Sequence, residues 1–116
     1  MGSIRLVYDA EGDILDMDFR LTGEKSRRGT ELHDNVIIWT NAADTQILHI
    51  TLLSYSRLLE QSALSFARLR KMPTRQRTSF LKLLMSDPTR RVLSCVDEEK
   101  LWFRVEEPGV REIAAA

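Results

Sequence analysis

The sequence predicts an α+β fold: an antiparallel β-meander of about four strands, then two helices and a C-terminal β-hairpin. Three observations predict it. Apolar residues in the first half recur at every second position, the repeat of a strand with one buried face. After Ser54 the apolar spacing changes to three and four, the repeat of a helical stripe. Near the C-terminus two short runs rich in β-formers flank the turn-like "DEEK", which is a hairpin pattern.

In the first strand Ile4, Leu6 and Tyr8 share a face, and in the second Leu15, Met17 and Phe19 do. The same alternation sends Asp16 and Asp18 to the opposite, wet side. Between the strands "DAEGD" supplies the turn formers Asp9, Gly12 and Asp13, so a hairpin loop of about three to five residues is expected. The polar segment "LTGEKSRRGT" (21–30) has two glycines and reads as a loop. "NVIIWT" (35–40) is too short for a helix and rich in β-branched and aromatic residues. It reads as a central strand covered on both faces. "NAADT" (41–45) is a turn. In "QILHITLL" (46–53) Leu48, Ile50 and Leu52 fall on one side, His49 and Thr51 on the other. Short connections make a meander the economical topology.

Leu59, Ala63, Phe66 and Leu69 lie along one helical stripe. "KMPT" (71–74) interrupts it, because Pro73 disfavours helix at Met72 and Thr74 suits an N-cap. A second helix carries Phe80, Leu81, Leu84 and Met85 and stops before "SDP" (86–88). "RVLSCV" (91–96) and "LWFRV" (101–105) form the hairpin, and "VREIAAA" is a short helical or frayed tail. Residues 1–56 are thus the meander and residues 57–116 a basic helical pair plus hairpin, packed with it as one compact unit.

The chain has 116 residues, 43% apolar and 29% charged, ordinary values for one globular domain. Such a length buries about two-thirds of the surface the unfolded chain exposes, so no metal or disulfide is needed. Cys95 is the sole cysteine, which excludes an internal disulfide and fits a reducing compartment. No basic stretch followed by an apolar run opens the chain, and no apolar segment nears the roughly 20 residues of a membrane helix. A cytoplasmic protein without membrane contact is expected.

The net charge of zero conceals three blocks. Residues 1–56 hold five basic and nine acidic side chains, residues 57–91 nine and two, and residues 92–116 three and six. The basic block supplies the candidate binding residues Arg68, Arg70, Lys71, Arg75, Arg77, Arg90 and Arg91, flanking the break between the helices. Such groups bind phosphate backbones, and two helices before a hairpin fit a truncated winged helix with the hairpin as wing. Against this, winged-helix modules have three helices, the charge is modest, and Arg and Lys stems commonly cover apolar flanks. A solvated face, or docking against the acidic N-terminal sheet, is the preferred expectation.

Enzyme chemistry finds little support. Read as a calcium loop from Asp9, the sequence puts Glu11 and Asp13 at ligand positions but Ile14 where a glycine is needed. Arg20 stands where a bidentate glutamate is needed. Asp16 and Asp18 lack the burial that shifts a catalytic carboxyl. His33, His49 and Cys95 have no zinc spacing, and a lone strand cysteine acts as a small hydrophobe. No nucleophile elbow, P-loop or dinucleotide fingerprint is present. No catalytic residue, metal or cofactor is expected; a hydrolase using Asp16, Asp18 and a histidine is the weakest alternative.

Three stretches, "YDAEGDILDMDF" (8–19), "ELHDNVIIWT" (31–40) and "QILHITLLSYS" (46–56), occur in an order and spacing that resemble a bacterial family of small proteins, domain of unknown function 2283. The resemblance covers residues 1–56. Asn35 stands where that family favours glycine, a change tolerated because asparagine accepts left-handed geometry. His49 replaces a second glycine, and Thr51 and Ser54 replace acidic residues. The family has no established activity or catalytic residues. Its members resemble small antitoxins in size and occur beside toxin-like genes, so the resemblance implies an antitoxin-like role by analogy. The expected function is a non-enzymatic protein-binding or regulatory module, with another protein or a second copy as partner. The alternative is a nucleic-acid-binding regulator using residues 68–91.

Overall fold

The structure, a computed structural model, describes residues 5–19 and 27–107. Five strands build the larger antiparallel sheet: β1 (Arg5–Asp9), β2 (Ile14–Asp18), β3 (Arg27–His33), β4 (Val36–Asn41) and β5 (Ile47–Leu53). Their order is β1-β2-β5-β4-β3, which is not a simple meander. A β1–β2 hairpin joins a β3–β4–β5 meander through the β2–β5 pair. That pairing aligns Leu15 with Leu52 and Met17 with Ile50 on one face, matching apolar to apolar across the ladder. It also leaves β3, "RRGTELH", on the edge, where charged residues and glycine are best tolerated. The expected 21–30 loop is corrected accordingly: Arg27 to Thr30 belong to β3, while residues 20–26 lie outside the described residues, as do Ile4 and the 110–116 tail.

A β-bulge corrects one facing. Trp39 pairs with His49 and Thr40 with Ile47, so Leu48 is an extra residue in β5. The alternation slips there, so Ile47 joins the central cluster with Ile50 and Leu52, while Leu48 is buried outside that cluster. Gly29 meets a different constraint. A Cβ there would come within 2.8 Å of the Trp39 ring, because the indole lies against the β3 backbone. Among the described non-glycine residues the left-handed region is occupied by Asp13, Asp44, Ser54 and Leu101. Asn35 is not one of them, so its place in the β3–β4 turn needs no such geometry.

The second half departs most from its periodicity. The helix α1 (Tyr55–Glu60) stops at Gln61, whose backbone is extended. The chain then forms a short strand, β6 (Leu64–Ser65), and a 3-10 turn over Ala67–Lys71. The stripe Leu59–Ala63–Phe66–Leu69 is therefore not one helix. A tertiary contact overrides the helical spacing: β6 adds a third strand to the C-terminal hairpin, β7 (Leu93–Asp97) and β8 (Trp102–Val105), in the order β6-β8-β7. Leu64 pairs with Phe103, and Phe66 stacks on the same ring at 4.8 Å. After the break at Pro73, α2 (Thr74–Leu84) buries Phe80 and Leu84 and leaves Met85 exposed beyond its end. Pro73 occupies the N-cap position and Thr74 makes no side-chain cap, which corrects the expected cap. With β6 and a 3-10 turn between α1 and α2, the helix pair of a winged helix is not formed.

A single buried cluster holds both halves together. Leu15, Met17, Phe19, Val36, Ile38, Ile50 and Leu52 from the large sheet meet Leu58, Phe66, Leu69, Phe80, Leu84, Leu93 and Phe103. The first hairpin is also fastened to α1. Tyr55 N–H donates to the Asp13 carbonyl at 2.9 Å, and the Asp13 carboxylate accepts from Ser56 Oγ at 2.5 Å and Tyr8 Oη at 2.7 Å. No helix of the described residues is long and apolar enough to cross a membrane.

Candidate functional site

Among the described residues the core-facing side chains of the large sheet, Leu15, Met17, Ile38, Ile50 and Leu52, share one face, and its second face stands apart from that cluster. The register lays out two rows across it. One runs Val7–Asp16–Thr51–Ile37–Glu31 and the next Arg5–Asp18–His49–Trp39–Gly29. Ile14 and Leu53 pair beside the first row. None of Val7, Ile14, Ile37, Trp39 and Leu53 belongs to the buried cluster, and Val7 is 50% exposed. A solvated sheet face ordinarily carries polar side chains; this one carries five large apolar ones, of which Val7 is exposed and Ile14, Ile37, Trp39 and Leu53 are half-buried.

At its centre the polar residues form a network. The Trp39 indole N–H donates to Thr51 Oγ1 at 3.1 Å, and that hydroxyl donates to Asp16 Oδ1 at 2.7 Å. His49 Nε2 lies 3.0 Å from the same oxygen. Among the described residues His49 Nδ1 is buried without a hydrogen-bond partner. The network corrects the expectation that Asp16 merely faces water, for its carboxylate is tied to two residues of β5. The Thr51 hydroxyl and the His49 imidazole thus meet the same Asp16 oxygen. Nothing in the sequence gave Asp16 and His49 as neighbours, since their contact depends on β2 pairing with β5. The usable signal was that Asp16, His49 and Thr51 all occupy wet-face positions.

The seven basic candidates do not converge. Arg68 pairs with Glu31 at 3.3 Å and also with Asp34 in the β3–β4 turn. Arg70 donates to the Glu99 carbonyl at 2.7 Å. Arg90 and Arg91 both reach Asp87, at 2.5 and 3.6 Å, and the Arg90 bond holds the Asp87 carboxyl below its ordinary range. Among the described residues Lys71, Arg75 and Arg77 form no ion pair. Arg75 lines a groove with Lys82 on α2, a lysine outside the candidate set. Burial pushes the Cys95 thiol up, aided by Glu98 and Asp97, which keeps it protonated and a poor nucleophile. Among the described residues no three metal-ligating side chains cluster.

Comparison with known proteins gives no relative: the chain matches no protein-family model, no curated protein and no solved structure.

Proposed function

We propose that the chain is a non-enzymatic protein-binding module, antitoxin-like in role, that receives its partner on the outer face of the five-stranded sheet. The observation that carries this reading is the set of large apolar side chains spread over that face, Val7, Ile14, Ile37, Trp39 and Leu53, outside the core cluster. Apolar surface rimmed by polar groups is the composition of a protein interface, and tryptophan is a common anchor in one. Asp16 meets His49, Asp18 stands opposite Arg5 and Glu31 pairs with Arg68, so the face presents both signs to a partner of complementary charge. The resemblance of residues 1–56 to the 2283 family supports the antitoxin analogy.

A nucleic-acid role for residues 68–91 has less support, because Arg68, Arg70, Arg90 and Arg91 are already engaged within the fold.

Co-purification tests the proposal. The untagged chain and its Ile37→Glu variant are each co-expressed with the product of the gene beside their own and run on size exclusion. A stable complex with the parent chain that Ile37→Glu abolishes supports the reading. A parent chain that elutes alone, or a complex indifferent to Ile37→Glu, overturns it.

A further inference from the structure

We propose that the groove between α2 and the β4–β5 turn binds a small phosphate monoester with a neutral polar body. The groove has a volume of about 660 Å³, within the range of about 300–1,000 Å³ of small-molecule sites. One wall is α2, which contributes Arg75, Ser79 and Lys82. These stand at i, i+4 and i+7, a single helix face, with the backbones of Arg75 and Lys82 about 10 Å apart along the axis. The facing wall is the turn, with Asp44 and Thr45.

The charges within the groove are unequal. Asp44 is satisfied from behind, by Arg28 at 3.1 Å and the Thr40 hydroxyl at 2.6 Å. Arg75 and Lys82 form no ion pair among the described residues, whereas Arg68, Arg90 and Arg91 do. The first turn of α2 holds no acidic residue, so the positive end of its dipole adds to the field at the Arg75 end of the groove. Lys82 lies in the last turn. Two uncompensated cations flanking a hydroxyl match a dianionic phosphate, for which charge-assisted hydrogen bonds are strongest. Asp44 opposes further negative charge on the ligand and favours a neutral body that offers hydroxyl donors. Leu83 adds apolar surface for that body. A duplex backbone fits less well: it needs a continuing track of free cations, and the neighbouring arginines are engaged. This site is separate from the sheet face and stands or falls independently of it.

Amide correlation spectra of the full chain, titrated with ribose 5-phosphate, inorganic phosphate, ribose and a short DNA duplex, decide the matter. Ribose 5-phosphate is expected to shift amides of 43–45 and 74–83 saturably, inorganic phosphate the same amides at higher concentration, and ribose none. Arg75→Ala and Lys82→Ala should each weaken binding about tenfold or more while the rest of the spectrum stays in place. The charge-keeping pair Arg75→Lys and Lys82→Arg should bind within about tenfold of the parent. No shift at about 10 mM ribose 5-phosphate, shifts elsewhere, or indifference to the alanine variants overturns the proposal. Inorganic phosphate binding as tightly as the ester overturns the ester, and duplex binding over the same amides overturns the small-molecule class.

Discussion

The Asp13 carboxylate shows how one side chain fastens two elements and gives the fold a pH dependence. Hydroxyl donation from Ser56, then from Tyr8, holds its pKa below the ordinary value of 3.8, and the Tyr8 bond pushes the phenol up. A lowered folded-state value means the charged form is favoured by folding. The stabilisation is complete above the ordinary value and is lost as pH falls through the lowered one. Asp87, beside Arg90, and Glu106, which accepts from the Ser94 hydroxyl, are lowered as well, so they contribute to the same acid limb. They are common to both proteins when Asp13→Asn is compared with the parent, and cancel in the difference. The gap in Tm between the two, followed by circular dichroism, should be constant above about pH 5 and close as pH falls below about 4. A gap of constant size down to strongly acid pH would show that Asp13 acts through its shape and not its charge.

At the scale of elements, buried ring contacts and surface ion pairs should separate by magnitude. Phe66 and Phe103 are both fully buried and stack at 4.8 Å, linking β6 to β8 inside the shared core. Phe66→Ala removes that ring and leaves a cavity, which should cost about 3–5 kcal/mol. Arg68 joins the 3-10 turn to Glu31 and Asp34, but the three side chains are 41%, 66% and 81% exposed. Arg68→Ala should therefore change stability by no more than about 1 kcal/mol. Urea titration of both variants checks the pair of values, and equal losses would refute the assignment. The same contrast explains what was legible in the sequence. The period-two runs gave β1, β2 and, apart from the bulge at Leu48, β5 with their faces, and a short apolar run gave β4, because these patterns are written locally. β3 was hidden, since "RRGTELH" is stabilised as an edge by its neighbour and not by its own pattern. Phe66 and Leu69 were recognisable as apolar stripe positions beside Leu59 and Ala63, yet that helical spacing is broken because β8 holds Leu64 and Ser65 extended. The Asp16–His49 contact and the α2 groove rest on strand order and on the placement of the β4–β5 turn, which no local repeat encodes.

At the scale of the molecule, the two sheets differ in how independent they can be. β6, β7 and β8 are short, and three short strands bury too little apolar surface to stand alone. Their inward residues Leu64, Leu93, Phe103 and Val105 complete the cluster that also contains Leu15, Met17, Ile38 and Ile50. Removing either sheet would expose the other's interior, so unfolding should be a single all-or-none transition, as in most domains of under about 150 residues. Nature provides one tryptophan reporter in each sheet: Trp39 on β4 and Trp102 on β8. Trp102→Phe leaves only the first and Trp39→Phe only the second. Within each variant the urea midpoint by tryptophan fluorescence should coincide with that by far-ultraviolet circular dichroism, whatever the variant's own stability. The comparison is internal to each protein, so loss of the Trp39–Thr51 hydrogen bond does not bias it. If the Trp102 signal were lost at lower urea than the circular dichroism of the same variant, the C-terminal sheet would be a separate unit docked on the first. Its aromatic contacts would then be an interface and not part of a common core.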